Sequence, residues 1–148
     1  MVRDRNNIRG LPNVPAKHLR ELRQANAVVA RMTALLTAAF AAGTQYIIEN
    51  PADRGDPAHP RRFLEADHGP LWQMPEIRSL QSLSAKLATF PMCAFNAPWQ
   101  KYTTVMYSSG FDEWLDPLDR LTCTHAKHSR VAGGTVGEGG APSSETSA

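Results

Sequence analysis

Cysteine is nearly absent from this chain: Cys93 and Cys123 are its only two, too few for the disulfide framework of a small secreted domain. One pairing between them stays open, alongside free thiols and metal ligation. Long apolar runs are missing as well. No stretch approaches the roughly 18 uninterrupted apolar residues of a membrane span, and charge stands at the N-terminus where a signal peptide needs a hydrophobic region. The sequence therefore predicts a soluble intracellular protein, nuclear or cytoplasmic, with no membrane partner. Net charge is also scarce. A formal +2 is too small to establish a nucleic-acid partner. Internal repeats are absent, and no Gly-x-Gly-x-Gly precedes an acidic strand end, so a dinucleotide-type cofactor turn is excluded.

What is present fits one domain. At 148 residues, 42% apolar and 20% charged, the chain is long enough for a single core and too short for two ordinary ones. Residues 1–15 form an irregular lead-in with Gly10, Pro12 and Pro15. The first 23 residues hold Arg3, Arg5, Arg9, Lys17, Arg20 and Arg23 against Asp4 and Glu21, so this end is locally basic, either a solvated arm or one that meets phosphates. From 16 to 42 there is neither Gly nor Pro. Leu19, Leu22, Val29, Leu36 and Phe40, flanked by Val28, Met32 and Leu35, recur at helical spacing. This predicts a long amphipathic helix closed by Gly43, with alanines that let it lie across a sheet. Asn26 falls on its apolar face, where a buried amide must find partners.

Thr-Gln-Tyr-Ile-Ile-Glu-Asn-Pro at 44–51 reads as a buried central strand that ends at a carboxylate, an amide and a proline. A helix feeding a parallel strand is implied, and in open α/β sheets ligands bind outside the carboxyl ends of strands. Residues 51–62 read as a loop rich in proline and charge. Its Arg54 either grips a phosphate or pairs with Asp53 or Asp56. A short helix is expected at 63–66, and another begins at Pro75 with Ile77, Leu80, Leu83 and Leu87 as its stripe. Strands follow at 88–95 and 102–108, then a helical segment over 111–121 interrupted by Pro117. Residues 16–131 make up the α/β domain, and 132–148, rich in Gly and Ser, are expected to be disordered.

Cys123-Thr-His125-Ala-Lys-His128 is the densest group of metal-ligand side chains, and Cys93 would complete a four-coordinate set of two sulfurs and two nitrogens, a chemistry suited to zinc. A surface histidine pair is the alternative. His59 and His68 flank the loop after Pro51, either as plain polar residues or acting near Glu49. Trp72 and Trp99 read as core residues, or as faces on which a base stacks.

Ile48-Glu49-Asn50-Pro51, Gln100-Lys101 after Pro98, and the β-forming stretch 102–107 together resemble the second half of cytosine-C5 DNA methyltransferases. The order of elements agrees, as does Asn-Ala-Pro-Trp-Gln-Lys at 96–101 with the Pro-Gln-x-Arg-x-Arg connection of that family. Glu-Asn-Pro-Ala-Asp-Arg-Gly-Asp at 49–56, Pro-Leu-Trp at 70–72 and Gln-Lys-Tyr-Thr-Thr at 100–104 look like uncharacterised methyltransferase-like proteins of algal genomes and mobile elements. The resemblance implies part of a Rossmann-like methyltransferase sheet, DNA as partner and S-adenosylmethionine as cofactor. It implies that Glu49 protonates the cytosine ring, that Asn50 braces the loop, and that Gln100, Lys101 and Thr103 or Thr104 stand where base or phosphate contacts are made. The departures are as telling. Neither cysteine follows a proline as the family's nucleophile does, and the cofactor turn is missing, so a truncated, inactive methyltransferase-like domain is expected, or a non-catalytic remnant that binds nucleic acid or protein. A small zinc-stabilised domain is the remaining alternative.

Overall fold

A computed structural model describes residues 2–56 and 65–128. Helix α1 (Ala16–Ala41) follows Pro15 and ends as the sequence predicts. Gly43 takes a left-handed φ of 71°, its N–H bonding the Phe40 carbonyl at 3.0 Å while the Thr44 N–H reaches Ala39 at 2.8 Å. This pairing closes a helix C-terminus with a residue that carries no Cβ penalty. No side chain crowds that glycine, so its conformation rather than lack of room selects it.

Strand β1 (Ile47–Pro51) leads into the loop region, helix α2 (Pro75–Gln81) opens on its proline, and strands β2 (Lys86–Pro91) and β3 (Tyr102–Tyr107) complete a three-stranded sheet. The order is β1-β3-β2, and both ladders are antiparallel, with Ile47 opposite Tyr107, Pro51 opposite Thr103, and Lys86 opposite Tyr107. Two expectations change here. The strand of the Glu49-Asn50 motif is an edge strand, not a central one: its residues alternate between exposed and half-buried, whereas five of the six in β3 are buried. And the parallel strand implied for an open α/β sheet is not found: the sheet is antiparallel throughout, because β3 lies between β1 and β2 and pairs with both. Proline at the end of each outer strand fits this order, since an outer strand need not donate on its free side.

The fold is a mixed helix and strand domain in three layers. On one face α1, α2 and the 3-10 turn Leu71–Gln73 enclose Val29, Tyr46, Trp72, Met74, Ile77, Leu80 and Met106. On the other face Ala88, Phe90, Val105 and Tyr107 are covered by Phe111, Leu115, Leu118 and Leu121. Those four come from a broken run of short turns, Ser109–Phe111, α3 (Asp112–Leu115) and Asp116–Arg120, with Pro117 interrupting it as the sequence implies.

Several boundaries differ from the sequence reading. Helix α2 stops at Gln81, where Ser84 turns left-handed at φ 68°, so Leu87 reaches the core from β2. Strand β2 ends at Pro91, and Met92–Phe95 is a 3-10 turn. In α1 the alanines at 27, 30, 34 and 38 face outward, and Val28, Leu35 and Phe40 remain 61%, 71% and 42% exposed. Leu22 and Val29 alone among the predicted stripe are buried. Asn26 finds the partners it needs, its amide donating to the Arg9 carbonyl at 2.7 Å and accepting from Arg3 at 3.3 Å. The expected helix at 63–66 begins outside the described residues, and Glu65 to His68 form a turn. His59 and the segment 132–148 lie outside the described residues. Among the described residues no helix is long and apolar enough to cross a membrane.

Candidate metal centre

At the end of the sheet where β1 and β2 finish and β3 begins, four side chains converge. Pro91 cannot extend the β2 ladder as a donor, and the chain folds at once into the turn 92–95, which buries Cys93 at 4% exposure. Asn96 then takes a left-handed φ of 64°, a conformation asparagine tolerates better than most residues. The Met92 N–H closes the loop onto the Lys101 carbonyl at 2.7 Å. From the opposite direction, the segment after Arg120 returns across the sheet end. Cys123 is buried there at 7% exposure, its N–H donating to the Tyr102 hydroxyl at 3.1 Å. His125 and His128 fold back toward the same point.

The Cys123 sulfur lies 3.3 Å from His128 Nε2 and 3.8 Å from His125 Nδ1. The ligand atoms of Cys93, Cys123, His125 and His128 all lie within 4.8 Å of one another. A tetrahedral ion with sulfur at about 2.3 Å and nitrogen at about 2.0–2.1 Å would hold its ligand atoms roughly 3.3–3.8 Å apart, so only small movements separate this cluster from a closed site. The two cysteines are not bonded to each other. Burial, then hydrogen bonding to Cys123, pushes the Cys93 thiol up to about 11. A metal would displace that proton, since the thiolate is the ligand form. These four residues can hold a metal ion, and they are the four that the sequence singles out.

The strand-end candidates gather at the same end of the sheet. Glu49 is exposed on β1, and its carboxylate accepts a hydrogen bond from the Thr103 hydroxyl on β3. That hydroxyl also faces the Asn50 carbonyl at 3.2 Å. Lys101 precedes β3 by one residue, and it and Gln100 are half-buried. The ladder runs past Pro51, with the Ala52 N–H reaching the Tyr102 carbonyl at 3.2 Å, so the Glu49-Asn50 and Lys101-Thr103 stretches are neighbours. Thr104 points to the opposite face, its hydroxyl 2.7 Å from that of Thr89.

The loop after β1 is built from internal ties. Arg54 pairs with Glu65 at 2.8 Å, and its N–H donates to His68 Nδ1 at 3.1 Å. That acceptor role requires the other ring nitrogen to carry the proton, and burial together with the nearby Arg54 charge lowers the His68 pKa. Asp53 receives Arg5 at 2.5 Å, the Gly55 N–H at 2.9 Å and Gln73 at 3.4 Å. Burial alone would raise its pKa, but these hydrogen bonds outweigh it and the carboxyl sits below its usual range. Trp72 is buried, and its indole N–H donates to the Pro51 carbonyl at 2.9 Å, which makes it a brace for the strand end. Trp99 is half-buried.

Two features were invisible in the sequence. One is a cavity of about 230 Å³ between α2 and the sheet, lined by Asp53, Trp72, Arg78, Thr89 and Thr104 among others. The alternation of Thr89 and Thr104 within strands was the only available signal, and it needed the register to be read. The other is the internal use of the lead-in arginines. Arg3, Arg5 and Arg9 bind Asn26, Asp53 and Glu76, so these three serve the fold, while Lys17, Arg20 and Arg23 stay exposed on α1. No protein-family model, no curated protein and no solved structure matches the chain.

Proposed function

We propose that this chain is a small zinc-stabilised domain of mixed helix and strand whose metal is structural. The observation that carries the reading is the convergence of two buried cysteines and two histidines on one point. Two thiolates and two imidazoles suit zinc among the common divalent ions. Four protein ligands leave no open position for substrate, the arrangement that distinguishes structural from catalytic zinc sites. When bound, the ion supplies a cross-link between the β2–β3 connection and the C-terminal segment. The Tyr102 hydroxyl meanwhile accepts the Cys123 N–H and so fixes the backbone of a ligand from outside the ligand set. Metal analysis of the purified protein tests the reading. One zinc per chain is expected, falling to a small fraction in Cys123→Ser, and a protein that takes up no zinc on refolding with the ion overturns it.

A second reading concerns what the domain recognises: the strand-end residues act as a DNA-contacting half of a cytosine-C5-methyltransferase-like fold, without methyl transfer by this chain. Two observations favour it. The order of long helix, strand, helix and strand pair is the order the resemblance calls for, and Thr103 joins Glu49 and Asn50 in one hydrogen-bonded group. Calorimetry should give no binding of S-adenosylmethionine. Fluorescence anisotropy with a cytosine-containing oligonucleotide should give binding that weakens in Lys101→Ala. An oligonucleotide affinity unchanged by that substitution removes the reading.

A further inference from the structure

We infer that the metal centre is a latch: it holds residues 109–128 over the outer edge and outer face of β2, and its release uncovers both while the helix side stays folded. The inference rests on the metal reading above and adds what the ion controls.

The segment cannot hold itself. Its turns are three, four and five residues long, well below the length at which an isolated helix persists in water. What it covers needs covering. Ala88, Phe90, Val105 and Tyr107 form an apolar sheet face whose outer layer is Phe111, Leu115, Leu118 and Leu121. On the side of β2 away from β3, the Thr89 N–H has its partner in Asp119 at 2.8 Å. An open strand edge over an apolar face is the feature that folded proteins hide.

Beyond Leu121 the described chain has no regular structure. Its fixed points there are the Cys123 N–H on Tyr102 and the sulfur and imidazole cluster itself. The metal would therefore pin the far side of a segment that otherwise holds to the sheet through its four apolar side chains, Asp119 on Thr89, Asp116 on Tyr107, and Lys86 on Asp112 and Asp116. The helix-side core is separate. Met74, Ile77, Leu80 and Met106 are fully buried there, and no residue of 109–128 belongs to that cluster.

Hydrogen–deuterium exchange with mass spectrometry on the full chain, zinc-loaded and after chelation, tests the latch. Backbone amides of 86–91 and 109–121 should exchange at least tenfold faster without metal, while 75–81 changes less than twofold. A second arm uses Asp119→Ala in the loaded protein, which should speed exchange at Thr89 alone and leave zinc content at one per chain. Equal acceleration across the helix side overturns the latch, because the ion then holds the whole fold. Unchanged exchange at 86–91 with zinc demonstrably lost overturns it too. Absence of zinc from the loaded sample sinks the metal reading, and the latch with it, so the two failures are told apart in one experiment.

Discussion

Two irregular stretches border this sheet, and one of them carries a set of side chains that the other lacks. The lead-in before α1 is tied residue by residue: Arg3 to Asn26 on α1, Arg5 to Asp53 in the loop after β1, Arg9 to Glu76 on α2. Each tie joins a single pair of side chains, and each is partly reached by water. The C-terminal stretch has such ties too, Lys86 to Asp112 and Asp116 and Thr89 to Asp119, and adds a single point where four ligand atoms meet. Distributed ion pairs fail one at a time and gradually, because solvent and salt already discount each of them. A metal site fails all at once. The difference teaches that a small domain can tie one stretch by separate pairs alone and bring to another four side chains able to act as one fastening.

Chelation should produce the largest effect that separates the two. A ligand that binds only the folded state stabilises it by about 4 kcal/mol when free metal stands a thousandfold above its dissociation constant. Removing zinc should lower the thermal midpoint accordingly, and adding it back should restore it. A midpoint indifferent to zinc would erase the contrast. Next in size is Asp53→Asn on the other side. The carboxylate accepts from Arg5, Gly55 and Gln73, and hydrogen bonds to a charged group contribute roughly 1.5–3 kcal/mol. A loss of about 2 kcal/mol in denaturant unfolding is expected. Its pH signature is specific. Because the folded pKa of Asp53 lies below its ordinary value, its stabilisation is complete above the usual carboxylate range and disappears as pH falls through the folded value. The wild type should therefore lose more stability below about pH 4 than Asp53→Asn does, and parallel acid limbs would refute the assignment.

How much of this was legible beforehand depends on how local each signal is. Cys123, His125 and His128 lie within one short stretch, so their chemistry announces itself, and Cys93 joined them as the only other cysteine. Helix α1, its glycine stop and the proline start of α2 were readable for the same reason: caps and breakers act on their immediate neighbours. The position of β1 was not. Tyr46, Ile47 and Ile48 look like a central strand, yet Ile47 is 45% exposed, because β3 takes the middle of the sheet through a pairing that no local pattern encodes. Pro51 was the one hint of an edge. The partners of Arg5 and Arg9 were hidden likewise, since Asp53 and Glu76 are distant in sequence, and an arginine run looks the same whether water, phosphate or its own fold receives it.

Tyr107→Phe probes the C-terminal stretch without touching the metal. The Tyr107 hydroxyl donates to Asp116 at 2.6 Å from a residue only 1% exposed, so its removal should cost about 1 kcal/mol. Burial, followed by the hydrogen bond and charge of Asp116, raises the pKa of the phenol. A raised folded value contributes stability that is fully present below the ordinary tyrosine pKa of about 10 and is lost as pH rises past it. The alkaline decline of the wild type should thus be shallower in the variant. If zinc content also fell in Tyr107→Phe, the segment's contacts and its latch would be one unit rather than two.

Arg9→Gln should give the smallest effect and is the sharpest check on the idea of separate weak ties. The Arg9 guanidinium meets Glu76 at 2.6 Å, its own side chain 55% exposed and that of Glu76 18%, so water screens the arginine side and the pair is expected to contribute about 0.2–1 kcal/mol. Glu76 also keeps a favourable place when the arginine is gone, because it lies in the first turn of α2, where the helix dipole attracts negative charge. A loss of no more than about 0.5 kcal/mol is expected at low ionic strength, shrinking further in concentrated salt. Asp53→Asn should respond to salt less, its side chain being only 11% exposed. If Arg9→Gln cost as much as Asp53→Asn, and the two together cost far more than their sum, the lead-in would be a cooperative clasp like the metal centre, and the contrast between the two ends would fail.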